Sequence, residues 1–254
     1  MNFMNFGAFV YREWILLLRS KTDLWFALVP PLITVAFYTY AMSNTVPQID
    51  GVPYLQFALP GIVMISILGN ITVISSRVFN EFFGSVLLEY FSTPTSRIAY
   101  IIAKLVSILV FALVQGTVFL GAGMLAFGIR PSLLETLGAL AVLALAGACL
   151  GSIFLFFGVW IRDMARFLIT SNLLGQAMIW GSSAFYPLSA LPPGLKWFAA
   201  VNPVTHGSEL LRSLLVFHSS TNVESWVFLA VTSILFGTLA VRVLAKRVVL
   251  AVQS

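Results

Sequence analysis

The sequence predicts an all-α integral membrane protein with six transmembrane helices. Three observations carry this. Of 254 residues, 59% are hydrophobic and 9% charged, and mean hydropathy is +0.98. Soluble domains carry roughly 25% charged residues, so a chain this poor in charge could not keep its surface wet. Apolar runs of roughly 20 residues, the length a bilayer needs, recur along the chain. The basic residues collect in alternate gaps between those runs.

Taken in order, residues 3–20 come first. Phe3, Phe6, Val10, Trp14 and Leu17 share one helical stripe, while Asn5, Arg12 and Arg19 lie opposite at heptad spacing. This is an amphipathic helix in the membrane interface, with Glu13 beside Arg12 and Trp14 at headgroup depth. Nothing in it resembles a cleavable signal. The first span is about 24–43, kinked by Pro30-Pro31. Residues 44–54 hold two prolines, a glycine and an acid, and read as a loop.

The second span is about 55–76. Residues 78–94 then carry Phe79, Phe82, Phe83, Val86 and Tyr90 on one stripe and Glu81, Ser85 and Glu89 on another. That segment is too polar to cross a bilayer and too amphipathic for a plain loop. It reads as a surface helix ended by Thr93-Pro94, because proline disfavours helix at the residue before it. The remaining spans are about 98–123, 133–160, 167–185 and 223–243. Between the last two, 186–222 is proline-rich and too broken to span. Two short helices, 193–200 and 204–217, are expected there, hinged at Asn202-Pro203.

Six spans put both termini on one side. With the N-terminus inside, Lys and Arg at 12, 19, 21, 77, 97, 104, 162, 166, 242, 246 and 247 are cytoplasmic, and only Arg130, Lys196 and Arg212 are outside. The positive-inside rule therefore places 78–94 in the cytoplasm and 186–222 outside. No repeat divides the chain, so 1–254 is a single domain. The net charge of +5 reflects this membrane bias rather than a nucleic-acid partner.

Motifs for chemistry are sparse. No P-loop, G-x-S-x-G, H-E-x-x-H or dinucleotide fingerprint is present, so any ATP must be bound by another chain. His206 and Glu209 stand at i, i+3 with His218 further on. That is too few ligands for zinc, and no metal is expected. Cys149 is the only cysteine and allows no intrachain disulfide. Asn70, Gln115, Asn172 and Gln176 are polar groups inside spans. They are either glue between helices or the lining of a translocation path. Gly147-x-x-x-Gly151 permits close helix contact, within the chain or across a dimer. No carboxylate sits mid-span, which argues against a proton- or sodium-coupled carrier and for an external energy source.

Several stretches carry a resemblance. They are LEYFSTPTSRIAYIIAKL (88–105) and FYPLSALPPGLKWFAAVNPVTHGSELLR (185–212), with VPP at 29–31 and ALPG at 58–61. In these the chain resembles the membrane subunit of an ABC-2 type exporter over nearly its whole length. The resemblance implies an ATP-driven export permease that performs no chemistry itself. It would sit as a multi-pass protein in a bacterial inner (plasma) membrane, with ATP and magnesium on a partner ATPase dimer and a second copy or a related permease beside it in the lipid. It implies that 3–20 is the connecting helix and that 78–94 is the coupling helix, docking through Glu81, Phe82, Gly84, Glu89, Thr93, Pro94 and Arg97. It also implies an outward re-entrant hairpin over 186–217, with Tyr186, Pro187, Pro192, Pro193, Asn202, Pro203, Glu209 and Arg212. The cargo expected is an amphipathic drug-like or lipid-linked molecule. A polysaccharide exporter is the alternative, and a lipid head-group enzyme using His206, Glu209 or His218 is a second.

Overall fold

The computed structural model describes residues 48–83 and 97–253, together with isolated positions between 15 and 46. The 3–20 helix with Arg12, Glu13, Trp14 and Arg19, nearly all of the 24–43 span, and residues 84–96 with Gly84, Glu89, Thr93 and Pro94 lie outside the described residues.

Seven α-helices are seen among them: α1 (Tyr54–Phe83), α2 (Arg97–Phe127), α3 (Leu133–Trp160), α4 (Met164–Trp180), α5 (Pro193–Ala200), α6 (Pro203–Leu215) and α7 (Val223–Gln253). Four are long and apolar enough to cross a membrane, over Tyr54–Asn80, Ile102–Phe127, Leu133–Trp160 and Val223–Leu244. These match four expected spans within a few residues at the ends where they overlap.

Helix α3 is the hub. It is apolar on every side, as a helix surrounded by other helices must be, and it packs against α1, α2, α6 and α7. A Ser132 capping box starts it: Ser132 Oγ accepts from the Glu135 amide, and Glu135 Oε2 accepts from the Ser132 amide at 2.6 Å. Its glycines settle a question the sequence left open. A Cβ on Gly147 would lie 2.6 Å from the Ala112 Cβ, and one on Gly151 would lie 2.7 Å from Ile108 Cγ2. The G-x-x-x-G face is therefore spent inside the chain, against α2.

Two boundaries differ from expectation. Helix α1 does not stop near residue 76. It runs unbroken to Phe83, so the surface helix expected from Val78 begins as its last turns. The reason is packing: Val78 and Phe79 are buried, and the Phe79 ring stacks on Phe167 of α4 with centroids 5.1 Å apart. The fifth span, expected over 167–185, is the 17-residue α4, which ends at Trp180. Its length is about 25 Å, short of the roughly 30 Å hydrocarbon core. Asp163 caps its start through the Arg166 amide, and residues 181–187 turn away beyond it.

The 44–54 loop contains a small hairpin, β1 (Gln48–Ile49) paired with β2 (Val52–Pro53). Asp50 and Gly51 make its turn, both at positive φ (49° and 80°), as a two-residue primed turn requires.

Candidate functional site

The most highly organised polar cluster lies where α6 enters the bundle. Asn202 caps α6 by accepting from the Val204 amide, and Pro203 fills the first helical position, where a missing N–H costs nothing. Asn202 Nδ2 also donates to the Met178 carbonyl at 2.8 Å, tying the start of α6 to the end of α4. The helix is then buried among α1, α3 and α7. One of its buried side chains is Arg212, only 1% exposed.

Arg212 joins three segments. Its Nη1 meets Glu209 Oε1 at 2.6 Å, its Nε donates to the Phe57 carbonyl at 3.1 Å, and its Nη2 donates to the Ser183 carbonyl at 2.9 Å. The guanidinium lies 3.8 Å from the Phe57 ring centroid, a cation–π contact. Ser183 Oγ closes the loop by donating to Glu209 Oε1 at 2.6 Å. Burial pulls Arg212 below its ordinary range, and the carboxylates of Glu209 and Asp50 oppose this. Such a cation is tolerable inside a membrane protein because its charge is paired and its donors are used.

The partners reflect backbone geometry. Pro60 stands inside α1 and cannot donate to the Gln56 carbonyl, so that turn of helix is disturbed. The Phe57 carbonyl in the same turn receives Arg212. Gly61 follows, and a Cβ there would sit 2.2 Å from the Ala184 carbonyl oxygen and 2.5 Å from its Cα. The 181–187 turn thus rides directly on the α1 backbone. Tyr54 Oη donates to the Phe185 carbonyl at 3.2 Å, and Tyr186 Oη donates to the Trp180 carbonyl. Of the other hairpin residues expected, Pro187 precedes a 3-10 turn at Leu188–Ala190, and Pro192 and Pro193 start α5.

The histidines do not converge. His206 Nε2 faces the Ala200 carbonyl at 3.0 Å, Nδ1 faces Ser225 Oγ at 2.9 Å, and the ring stacks on Phe228. A carbonyl only accepts, which assigns the proton to Nε2. His218, at φ 48°, places Nδ1 2.8 Å from Glu135 Oε1. Glu209 is engaged by Arg212. The three residues proposed for head-group chemistry each serve a different structural bond.

The four amides separate into two kinds. Asn70 and Gln115 are buried, and both donate to the Ser66 carbonyl at 3.3 Å: Gln115 thereby ties α2 to α1, while the Asn70 bond runs back one turn within α1. Asn172 and Gln176 are exposed on α4. Asn172 Nδ2 bonds back to the Leu168 carbonyl, and Gln176 Oε1 accepts from Trp180 Nε1. Of the coupling residues, Glu81 and Phe82 fall in the last turn of α1, and Arg97 is the first residue of α2.

Sequence reasoning missed Phe57, Gly61, Ser183 and Ala184. Only Gly61, within ALPG, carried a signal, and it gave no hint of its partner.

The sequence matches the family model described as ABC-2 type transporter over residues 4–216, most of the chain. No curated protein matches it. Permeases of this family generally pair with ABC ATPase subunits, which bind the ATP, and themselves carry no cofactor and no catalytic domain. The head-group enzyme is thereby set aside. The match and the helical architecture lead to one conclusion: this multi-pass chain belongs to the ABC-2 type transporter family, as a membrane permease subunit.

Proposed function

We propose that the chain is one half of an ATP-driven exporter that moves an amphipathic, drug-like or lipid-linked molecule outward. The observation that carries this is the open face of α4. Only Phe167, Ser171 and Met178 of this helix are buried. Asn172 and Gln176 project from the uncovered side, one turn apart, among Leu168, Ile169, Leu173 and Trp180. Two amides on an aliphatic helix are costly toward lipid. A second copy, or a related permease, applied to this face would enclose them in a seam that suits a cargo with an apolar body and a few polar groups. A polysaccharide exporter is the alternative, but one exposed indole on this face offers a sugar little to stack on.

In this reading both termini are cytoplasmic, in keeping with the basic residues at the Phe83 end of the bundle. Residues 78–94 dock on the ATPase dimer, with Glu81 and Glu89 facing basic residues there and Gly84 allowing close approach. Continuity of α1 through Phe83 supports a direct lever: movement at residues 78–83 reaches Gly61, at the Pro60 turn, along one continuous helix. The 186–217 segment caps the outward end, held by Arg212. Nucleotide-driven closure of the ATPases shifts the population between inward- and outward-open states.

The test is reconstitution with the ABC ATPase subunit that co-purifies with this chain. Asn172→Leu/Gln176→Leu should abolish cargo-stimulated ATP hydrolysis while leaving complex assembly intact. Glu81→Lys should weaken ATPase docking. Full stimulation in the amide double variant would refute the α4 path, and undiminished docking in Glu81→Lys would refute the coupling assignment.

A further inference from the structure

We propose that the groove between α2, α3 and α7 binds one anionic glycerophospholipid, with an acyl chain in the groove and the headgroup on Arg242 and Lys246. The cavity measures about 630 Å³, within the range of roughly 300–1,000 Å³ that holds a drug-sized ligand. Its walls are the Ile102, Leu105 and Leu109 stripe of α2 and the Ile234, Thr238 and Val241 stripe of α7. The floor is made of small side chains on α3, Ala148 and Ser152, and it faces Gly237. These small residues explain the gap. Helices α2 and α7 each pack on α3 but barely on one another, so a trough is left between them. The trough faces the bilayer side: Ile102 and Ile234 are exposed, and α7 has little of its surface covered.

An apolar trough alone would accept any acyl chain. Arg242 selects. It lines the end of the groove nearest the start of α2, and Lys246 stands one turn further along the same face. Both are exposed, and among the described residues no carboxylate pairs with either. Arg162, between α3 and α4, and Arg166, in the first turn of α4, lie at this same end of the bundle. By the positive-inside rule this is the leaflet where anionic lipids meet basic juxtamembrane residues. A lipid with its chains between α2 and α7 presents its phosphate to two unpaired cations. Helix α4 contributes nothing to the groove, so the site is separate from the seam proposed for cargo.

The test uses the full-length chain, delipidated in neutral detergent. Native mass spectrometry measures binding of phosphatidylglycerol and of phosphatidylcholine with the same acyl chains. Phosphatidylglycerol should bind at least fivefold tighter, since each cation near a headgroup is worth about fivefold in affinity. Arg242→Gln and Lys246→Gln should each remove roughly that factor and leave phosphatidylcholine unchanged. A side chain at position 237 has room to enter the groove, because a Cβ there meets nothing nearer than Ser152 Oγ at 3.6 Å. Gly237→Phe should therefore weaken both lipids. Equal binding of the two lipids by the unmodified chain would overturn the proposal, as would unchanged preference in Arg242→Gln. Disulfide formation between two copies of a Thr238→Cys variant would also overturn it, by giving the groove to a second chain.

Discussion

Removing Arg212 tests whether the hairpin is pinned as described. In Arg212→Met the guanidinium is lost and its volume is roughly kept. Glu209 then keeps its carboxylate with the Ser183 hydroxyl still donating to it, and the carbonyls of Phe57 and Ser183 lose the Arg212 donor. Breaking a buried ion pair from one side costs about 3–5 kcal/mol. Glu209 is about one-third exposed (34%), so water relieves part of this and the lower end applies. The expected loss is about 3 kcal/mol, or a drop of roughly 6 °C in thermal midpoint at about 2 °C per kcal/mol for a chain of this length. Arg212→Met/Glu209→Met removes both charges and should recover much of it, as paired deletions of buried ions do. Glu209→Gln keeps an acceptor and should cost roughly 1–2 kcal/mol. The assay is thermal unfolding of the purified chain, with the coupling taken from the double-mutant cycle. A midpoint for Arg212→Met within 2 °C of the parent would refute the reasoning. So would a double variant that simply adds the two single losses.

Other expectations follow from the same geometry. Gly61→Ala places a methyl against the Ala184 backbone, which cannot yield as a side chain can; it should cost more than about 2 kcal/mol and raise protease cleavage at 181–187. Gly151→Leu should disrupt α2 against α3 and lower the stability of the single chain, without dissociating a dimer when followed by light scattering. Burial holds the His206 imidazole below its ordinary value, outweighing the carboxylates of Glu209 and Glu224, so the folded chain keeps it neutral where the unfolded chain protonates. Its contribution is intact above about pH 6.5 and is lost as pH falls from there toward the folded value. Thermal midpoints across that window should fall less steeply in His206→Gln. Ser132→Ala, which removes the α3 cap, should cost about 1 kcal/mol by the same measure.

Hydropathy and charge were enough to read the membrane class, most spans and the two short helices around Asn202-Pro203. These are local properties: an apolar run of bilayer length or a proline after a capping asparagine acts through its own backbone and solvent. The capping box at Ser132 and the Asp50-Gly51 turn were equally local and could have been read from S-x-x-E and D-G. The end of α1 could not, because Val78 and Phe79 remain helical through contact with α4, far along the chain.

The site was less legible for the same reason. Asn70, Gln115, Asn172 and Gln176 are alike in sequence, each an amide in an apolar run. Only packing buries the first pair against Ser66 and leaves the second exposed on α4. Gly147 and Gly151 permit close contact with any helix, and tertiary structure chose α2. Arg212 looked like an outward charge with Glu209 beside it at i, i+3. Its burial against Phe57 and Ser183, some 155 and 29 residues away, arises from the assembled bundle. The sequence by itself determined where the four helices long and apolar enough to cross a membrane lie. The tertiary structure decided which face of each helix is covered, because a helix presents several faces and only its neighbours choose among them.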